Sequence, residues 1–340
     1  MEGLSTRDGM RAFANPVAQL MFNTVESILR PYIKVITYAF GPYLPTTSEL
    51  NHPFNYKFQK WIVSPLSFVL IFILMIPMFA VFVLRNLLHQ FRRPYCLSVS
   101  QDAVAKQSSS FYTVATGNLC LMPEIMSKFN NLDNTAVRGK TIGERIVVDQ
   151  RHYTGLTEKQ MAKKNGGLFS GCLATSNICT KVKESSKNMD FRADIITHFP
   201  AVDFLCLQET FDRDVAKILL KELHKVYPWI LYDVGYNSPR LNYCGLNSGL
   251  MFASKYKILD AQFKPYTKSC GFCSTVSKGL LMVKVFLDCP KPGIQHVGYV
   301  FNTHLQAFQG LYVYMIDFSW LLKHFLTHFW FELGPKVTFF

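Results

Sequence analysis

Charge is scarce in this chain, and negative charge is scarcer. Only 17% of its 340 residues are Asp, Glu, Lys or Arg, against 49% hydrophobic. That balance excludes a chain disordered along its whole length. The 23 acidic residues are outnumbered by 36 Lys and Arg, leaving a net charge of +13. An excess of this size suits nucleic acid and an anionic membrane surface equally, so charge alone does not choose between them. An even cysteine framework is also missing. The nine cysteines (96, 120, 172, 179, 206, 244, 270, 273 and 289) are irregularly spaced, and Cys120 and Cys206 sit in apolar runs. This pattern fits thiols in a reducing compartment rather than a secreted disulfide scaffold. Cys270 and Cys273 have CxxC spacing. No second pair follows at zinc-site distance, and they read as a loop with two thiols. The amino terminus lacks the basic stretch and clean apolar run of a signal peptide. Arg7, Arg11 and Arg30 suit a mitochondrial transit segment, but Glu2, Asp8 and Glu26 count against one.

What is present begins with an uncharged run of 24 residues, Trp61 to Leu84. About 20 apolar residues span a bilayer as a helix, so the run is long enough. Pro65 and Pro77 interrupt it, which makes a re-entrant hairpin as acceptable as a straight span. The bland alternative is a buried core helix. Lys57 and Lys60 precede the run, and Arg85, Arg92 and Arg93 follow it. With bases on both sides the orientation signal is weak. Upstream, Val17, Leu20, Met21, Val25, Ile28 and Leu29 recur at helical spacing, as in an amphipathic helix at a membrane interface that then meets Pro31. Arg92 and Arg93 are placed to meet lipid phosphates. The juxtamembrane Cys96 is a candidate for palmitoylation, with an unmodified thiol as the alternative. Residues 1–100 therefore read as a membrane-anchoring segment.

From residue 111 the chain reads as globular. Strands are expected at Phe111–Leu121, Asp203–Leu207, Ile230–Val234, Gly249–Ala253, Gly279–Leu287 and Val297–Asn302, and a helix at Ala136–Val148. Asp212 is placed to cap a helix that carries Val215, Ile218, Leu219, Leu223 and Val226 on one face. Residues 151–187, rich in Lys, Gly, Ser and Thr, read as a basic surface insert. Many strands with a few covering helices argue a sheet sandwich flanked by helices.

Three strand ends carry residues with chemistry. Glu209 follows the apolar strand, where a rigid carboxylate suits a hard divalent cation. The alternative is a solvated or helix-capping Glu. Asn118 ends another strand and suits orienting a metal-bound water; alone, it is a common turn residue. His304 follows a third strand. A histidine there suits donating to a phosphate oxygen as charge builds, although a strand-end His is often structural.

Four stretches carry a resemblance: Asp203-Phe-Leu-Cys-Leu-Gln-Glu209, Asn242-Tyr-Cys-Gly-Leu-Asn-Ser-Gly-Leu-Met-Phe-Ala-Ser254, Ser277-Lys-Gly279 and Asn302-Thr-His304. They resemble the vertebrate membrane-bound neutral sphingomyelinases, whose catalytic domain has the deoxyribonuclease-I-like fold. Leu44-Pro-Thr-Thr47, the apolar run and Arg92-Arg-Pro-Tyr95 resemble that family's anchor. The resemblance extends to about Gln306. It implies a four-layer α/β sandwich, incomplete here, spanning 111–306. It implies Mg²⁺ at Glu209, with Mn²⁺ as a substitute. Asn118 and His304 would act as catalytic groups lining the phosphate site, with Lys278 and Asn247 on the substrate side and Lys278 in a mobile loop. The family's loop acid before that lysine is missing, since 273–277 contain no Asp or Glu.

The reaction implied is hydrolysis of sphingomyelin to ceramide and phosphocholine at a membrane, with anionic phospholipids as partners and no nucleic acid. Golgi, plasma membrane and mitochondrion stay open as the organelle. After His304 the family continues with a Gly-Asp-x-Asn stretch and an Asp-His pair that acts as general base. Neither follows here, and residues 310–340 form an apolar, aromatic tail. His324 and His328 are four apart but have no acidic companion, so they do not read as a metal site. The expectation is a shortened, weak or inactive enzyme. The rivals are a non-enzymatic membrane-anchored lipid binder and a nuclease of the same superfamily.

Overall fold

The computed structural model describes residues 9–100, 112–148, 150, 202–235, 246–266, 276–291 and 294–305. The insert at 151–187, the Cys270–Cys273 pair, Gln306 and the tail at 310–340 lie outside them.

The apolar amino-terminal third forms two long helices. Helix α1 (Pro16–Phe40) starts at Asn15, whose side chain accepts from the Val17 amide, with Pro16 in the first turn. It continues through Pro31. After the capping box of Thr46 and Glu49, helix α2 runs unbroken over Pro53–His89, with one wider π turn at Gln59–Val63. The Trp61–Leu84 run is thus one helix that does not fold back on itself; Pro65 lies in the first turn of its Ser64–His89 part, and Pro77 is accommodated. The returning arm is α1. Ser64 Oγ donates to the Ala39 carbonyl at 2.7 Å, and the Phe40 and Phe68 rings meet edge-on at 5.0 Å. At the other end Arg85 binds Glu26 at 2.5 Å, and Phe22 meets the His89 ring at 4.9 Å. These pairings run in opposite order along the two helices, so α1 and α2 form an antiparallel hairpin. Helix α2 is long and apolar enough to cross a membrane, and its most apolar window is only 6% buried.

The rest of the described chain builds on two sheets. The first contains β1 (Cys96–Val99), β2 (Val114–Asn118), β3 (Phe204–Gln208), β4 (Trp229–Tyr232) and β5 (Met251–Ser254), in spatial order β1-β4-β5-β3-β2. Only β2 and β3 are parallel; the other neighbours are antiparallel. The second is an antiparallel meander of β6 (Ile258–Pro265), β7 (Gly279–Lys291) and β8 (Ile294–Thr303). Phe204, Cys206, Leu231 and Phe252 of the first sheet share one core with Ile258, Phe263, Leu281, Val283 and Val285 of the second. The opposite face of the first sheet, with Leu205, Leu207, Ile230 and Met251, is covered by two helices. These are α3, over 135–148, and α4 (Arg213–Leu223), which Asp212 caps through the amides of Asp214 and Val215. Strand β3 is buried along its whole length because both faces are covered, which is why it reads as an apolar run without alternation. Helix, sheet and sheet are three layers of the expected sandwich.

The sandwich grips the hairpin at both ends. Near the turn, Thr46 Oγ1 bonds Asp133 at 3.1 Å, the Thr47 amide donates to Asn131 at 2.8 Å, and Lys128 pairs with Glu49. At the far end, Arg213 binds both Glu26 and Asp233, each at 3.1 Å, and Arg92 binds Asp233 at 2.6 Å. Two expectations for this region are corrected. The Arg92 side chain is 1% exposed and also donates to the Asp233 and Gly235 carbonyls, so no lipid phosphate can reach it; Arg93 is half-buried. Cys96 is buried against Ala12, Phe13 and Phe22, and burial pushes its thiol above the ordinary range, which withdraws it from acylation.

Candidate active site

Strands β2 and β3 run side by side in the same direction, with Asn118 opposite Gln208, and both end at one rim. They leave the sheet together: the Leu119 amide donates to the Gln208 carbonyl and the Leu121 amide to the Glu209 carbonyl. Both turns use a left-handed backbone, with φ +51° at Cys120 and +59° at Glu209. Such conformations are strained for residues with a side chain and persist where surroundings over-determine them. Here the Thr210 amide and hydroxyl both bond the Gly249 carbonyl, fixing the chain just past Glu209. Gly249 itself has φ +71°, and a Cβ there would meet the Phe211 ring at 2.8 Å.

The second sheet brings its own residues to this rim through an amide clamp. Gln208 Nε2 donates to Asn302 Oδ1 at 2.7 Å, and Asn302 Nδ2 donates to the carbonyls of Leu207 (3.2 Å) and Met251 (3.0 Å). Asn302 is buried, so these bonds satisfy polar atoms that have no access to water. The clamp fixes β3 against β8 one residue before Glu209 and two before His304. Thr303 supports it by donating to the Gly279 carbonyl at 3.0 Å and bonding the Tyr266 hydroxyl at 2.5 Å.

Glu209 Oε1 lies 3.3 Å from His304 Nε2. The Asn118 amide lies beside the Glu209 carboxylate and favours its charged form, while its oxygen accepts from the Cys120 amide at 3.1 Å. Lys278 Nζ lies 3.4 Å from His304 Nε2 and donates to the Leu305 carbonyl at 2.9 Å. The hydrogen bond from His304 holds the Glu209 carboxyl below its ordinary range, against partial burial; Asn118 and the Lys278 charge act in the same direction. His304 Nδ1 is buried and has no partner among the described residues. The Phe211 ring stands 6.3 Å from the imidazole.

Four of the expected site residues, Asn118, Glu209, Lys278 and His304, therefore meet at one rim. Asn247 stands apart from them. Its Nδ2 donates to Asp233 at 2.8 Å and its Oδ1 accepts from the Gly249 amide at 2.9 Å, so both amide atoms are engaged in support. Its carbonyl accepts from the Ser277 amide, tying the Lys278 loop to the Asp233 cluster. Gln208 and Asn302 were not singled out from the sequence. Their signal was there, as polar residues inside runs otherwise apolar. Among the described residues no group of three His, Cys, Asp or Glu converges on a metal position. One carboxylate with an amide oxygen beside it suits Mg²⁺ in its water-rich mode, which takes one or two carboxylates and draws other oxygens from water and phosphate.

Two sheets packed face to face and covered by helices, with strand ends gathering Glu, Asn, Lys and His on one rim, form an α/β sandwich of the kind that the resemblance implies. No family model matches the chain. It is 27% identical over 307 residues to sphingomyelin phosphodiesterase 5 of Danio rerio, covering 74% of this chain and 56% of that protein. It is 42% identical over 120 residues to sphingomyelin phosphodiesterase 3 of Rattus norvegicus, covering 34% of this chain and 18% of that protein. Among solved structures, it aligns with a β-hairpin deletion mutant of Staphylococcus aureus beta toxin at 15% identity and a TM-score of 0.41, covering 67% of this chain and 64% of that one. The chain is a homologue of sphingomyelin phosphodiesterases 3 and 5, consistent with the neutral sphingomyelinase family that its motifs resemble. It spans little more than half the length of the zebrafish relative.

Proposed function

We propose that the rim is the phosphate end of a sphingomyelin phosphodiesterase site, and that these 340 residues carry only part of its catalytic machinery. The observation that carries this reading is the placement of His304 Nε2 between the Glu209 carboxylate at 3.3 Å and the Lys278 ammonium at 3.4 Å. A phosphodiester entering there meets the Lys278 ammonium beside the His304 imidazole, whose Nε2 lies within reach of both Glu209 and Lys278. Donors fixed in place before charge develops stabilise the transition state more than mobile water does. Glu209 supplies the carboxylate for Mg²⁺, or Mn²⁺ as a substitute, and Asn118 orients that carboxylate through its amide. A bound Mg²⁺ would polarise a phosphoryl oxygen and offset charge on the phosphate. The clamp of Gln208 and Asn302 keeps Glu209 and His304, which come from different sheets, at a fixed separation.

No described residue near the rim is placed to take a proton from an attacking water, since Glu209 is already paired with His304. The Asp-His pair expected for that task does not occur after His304 in the sequence. The chain should therefore bind phosphocholine-bearing lipid better than it hydrolyses it. The apolar hairpin is proposed as the membrane anchor. Both of its ends bond to one sandwich, which favours a hairpin set into one face of the bilayer over a helix crossing it. Phosphocholine release from sphingomyelin vesicles with Mg²⁺ tests the catalytic part. The expected result is no turnover above background, together with sphingomyelin binding that His304→Ala weakens. Robust turnover would overturn the assignment of roles.

A further inference from the structure

Between the two helices of the hairpin lies a groove of about 400 Å³, lined by Ile33 and Ile36 of α1, Met75, Met78 and Phe79 of α2, and Leu246 of the sandwich. That volume is within the roughly 300–1,000 Å³ range of built ligand sites. Arg85, at one end, is paired with Glu26 and so offers no unopposed charge to a ligand. Apart from Arg85 and the Tyr32 hydroxyl the lining side chains are apolar, which suits a hydrocarbon chain better than a headgroup.

Two further observations say what occupies the groove. The first is its surroundings. The outward residues Phe72 and Ile76 of α2 are 77% and 78% exposed, on a helix apolar enough for a membrane. In a bilayer that face meets lipid chains, and a groove open beside it fills with them. The second is continuity. Leu246, the groove's contribution from the sandwich, packs with Val276 and Phe211, and the Phe211 ring faces His304. Leu246 and Val276 are also bridged through their backbones; Asn247 follows the first directly, and Lys278 lies two residues after the second. An apolar path thus leads from the groove to the phosphate rim with one layer of side chains between.

Resting on the function proposed above, we infer that this groove holds one hydrocarbon chain of the sphingolipid whose phosphate sits beside His304 and Lys278. The anchor is then part of the substrate site: the hairpin takes the chain and the strand ends take the headgroup. This also gives a physical reason for pinning the hairpin at both ends, since Leu246 must stay in register with α1 and α2.

Photolabelling of the full chain tests this, in vesicles containing sphingomyelin with a diazirine on its acyl chain. Labels are expected on Ile36, Met75, Met78 and Leu246. Met78→Trp, which fills the groove, should lower them roughly tenfold, the worth of burying about two methylenes. It should leave labels on Phe72 and Ile76 unchanged. Met78→Ala, which opens the groove, should retain them, and this second variant keeps the test decisive if the tryptophan misfolds. His304→Ala should lower groove labelling while sparing the outward face. Labels on the outward face alone, or groove labels indifferent to both Met78 variants, overturn the inference. Groove labels indifferent to His304→Ala show bulk lipid, which overturns the link to the site. Binding of soluble phosphocholine with Mg²⁺, read by phosphorus NMR, reports the rim separately. Its absence in the parent chain would sink the proposed function, and with it the link, while the labels still judge whether a chain fills the groove.

Discussion

Arg92 Nη2 lies 2.6 Å from Asp233 Oδ2, and the two residues are 141 positions apart in the chain. Asp233 is held between Arg92 and Arg213, accepts from Asn247, and has an unusual φ of +50°. Arg213 passes the connection to Glu26, and Glu26 to Arg85. One buried carboxylate therefore joins the apolar hairpin to the loop that carries Lys278. A basic residue beside an apolar run looks like a lipid ligand; here it is a joint.

Arg92→Ala should destabilise the protein by about 3–5 kcal/mol, the usual cost of stranding one member of a buried ion pair. Arg93→Ala should cost under about 1 kcal/mol, as for most surface changes. Denaturant titration in detergent compares them. Equal, small effects would mean that Arg92 is not part of the joint. A gain or loss of binding to phosphatidylserine vesicles in Arg92→Ala, with the fold intact, would contradict its burial.

The same carboxylate predicts an acid response. Burial raises the Asp233 pKa, but Arg213 and then Arg92 outweigh it, and the group sits well below its ordinary value. A depressed pKa contributes stability that is complete above the unfolded value, about 3.9, and is lost as pH falls toward the folded one. The stability gap between the parent chain and Asp233→Asn should be full above about pH 4 and shrink below it. Melting curves from pH 7 to pH 2.5 read this. A gap that widens on acidification would refute the sign.

Topology gives a third expectation. Single cysteines at Ser48 and Gln90, introduced for labelling, should react with an impermeant maleimide from the same side of the membrane. The reason is that residues 46–49 and 92 both bond the sandwich. Reaction from opposite sides would show that α2 crosses the bilayer. Deleting 61–84 should release much of the protein from carbonate-washed membranes and also lower its melting temperature, because the deletion shortens a helix that is pinned at both ends.

Asn302→Ala removes the clamp between the sheets. It leaves the Gln208 amide and two carbonyls without their partner, which should cost about 1–3 kcal/mol. It should also weaken phosphocholine binding, because His304 is two residues away. Asn302→Asp, similar in shape but unable to donate, should fail in the same way. Unchanged binding in both would show that the rim does not depend on the clamp.

Catalysis supplies the last test. A missing general base alone typically costs 10²–10⁴-fold, roughly 3–5 kcal/mol of transition-state stabilisation. The chain as written should show no Mg²⁺-dependent sphingomyelin hydrolysis. A chimera that continues after Gln306 with a complete family ending should be active, and Glu209→Ala should abolish that activity. A chimera that is folded but inactive would point to a fault upstream of Gln306.

Much of the fold was legible because local composition carries it. The β3 run is apolar throughout, and the face of α4 built on Val215, Leu219 and Leu223 is buried as its spacing predicts. Two strands were not foreseen. In β6, Asp260, Gln262 and Lys264 alternate with buried Ala261 and Phe263, a half-exposed pattern short enough to pass for a loop. In β1, Cys96–Val99 follows the basic motif so closely that it reads as part of the anchor. The site was legible as three strand-end residues, but their support was not. Gln208 and Asn302 meet across 94 positions, a distance over which no local pattern operates.

The sequence by itself determined which segments are apolar, which period each follows, and which residues carry charge at the strand ends. Those are local properties, set by side-chain chemistry and by the repeat of helix or strand. Only the tertiary structure decided what each charge faces. It buried Arg92 against Asp233, sealed Cys96 under Phe22, made α1 the returning arm of the hairpin, and placed Leu246 between the interhelical groove and the cluster that packs toward His304. Pairing over such separations depends on which surfaces exclude water together, and that is fixed only when the whole chain has packed.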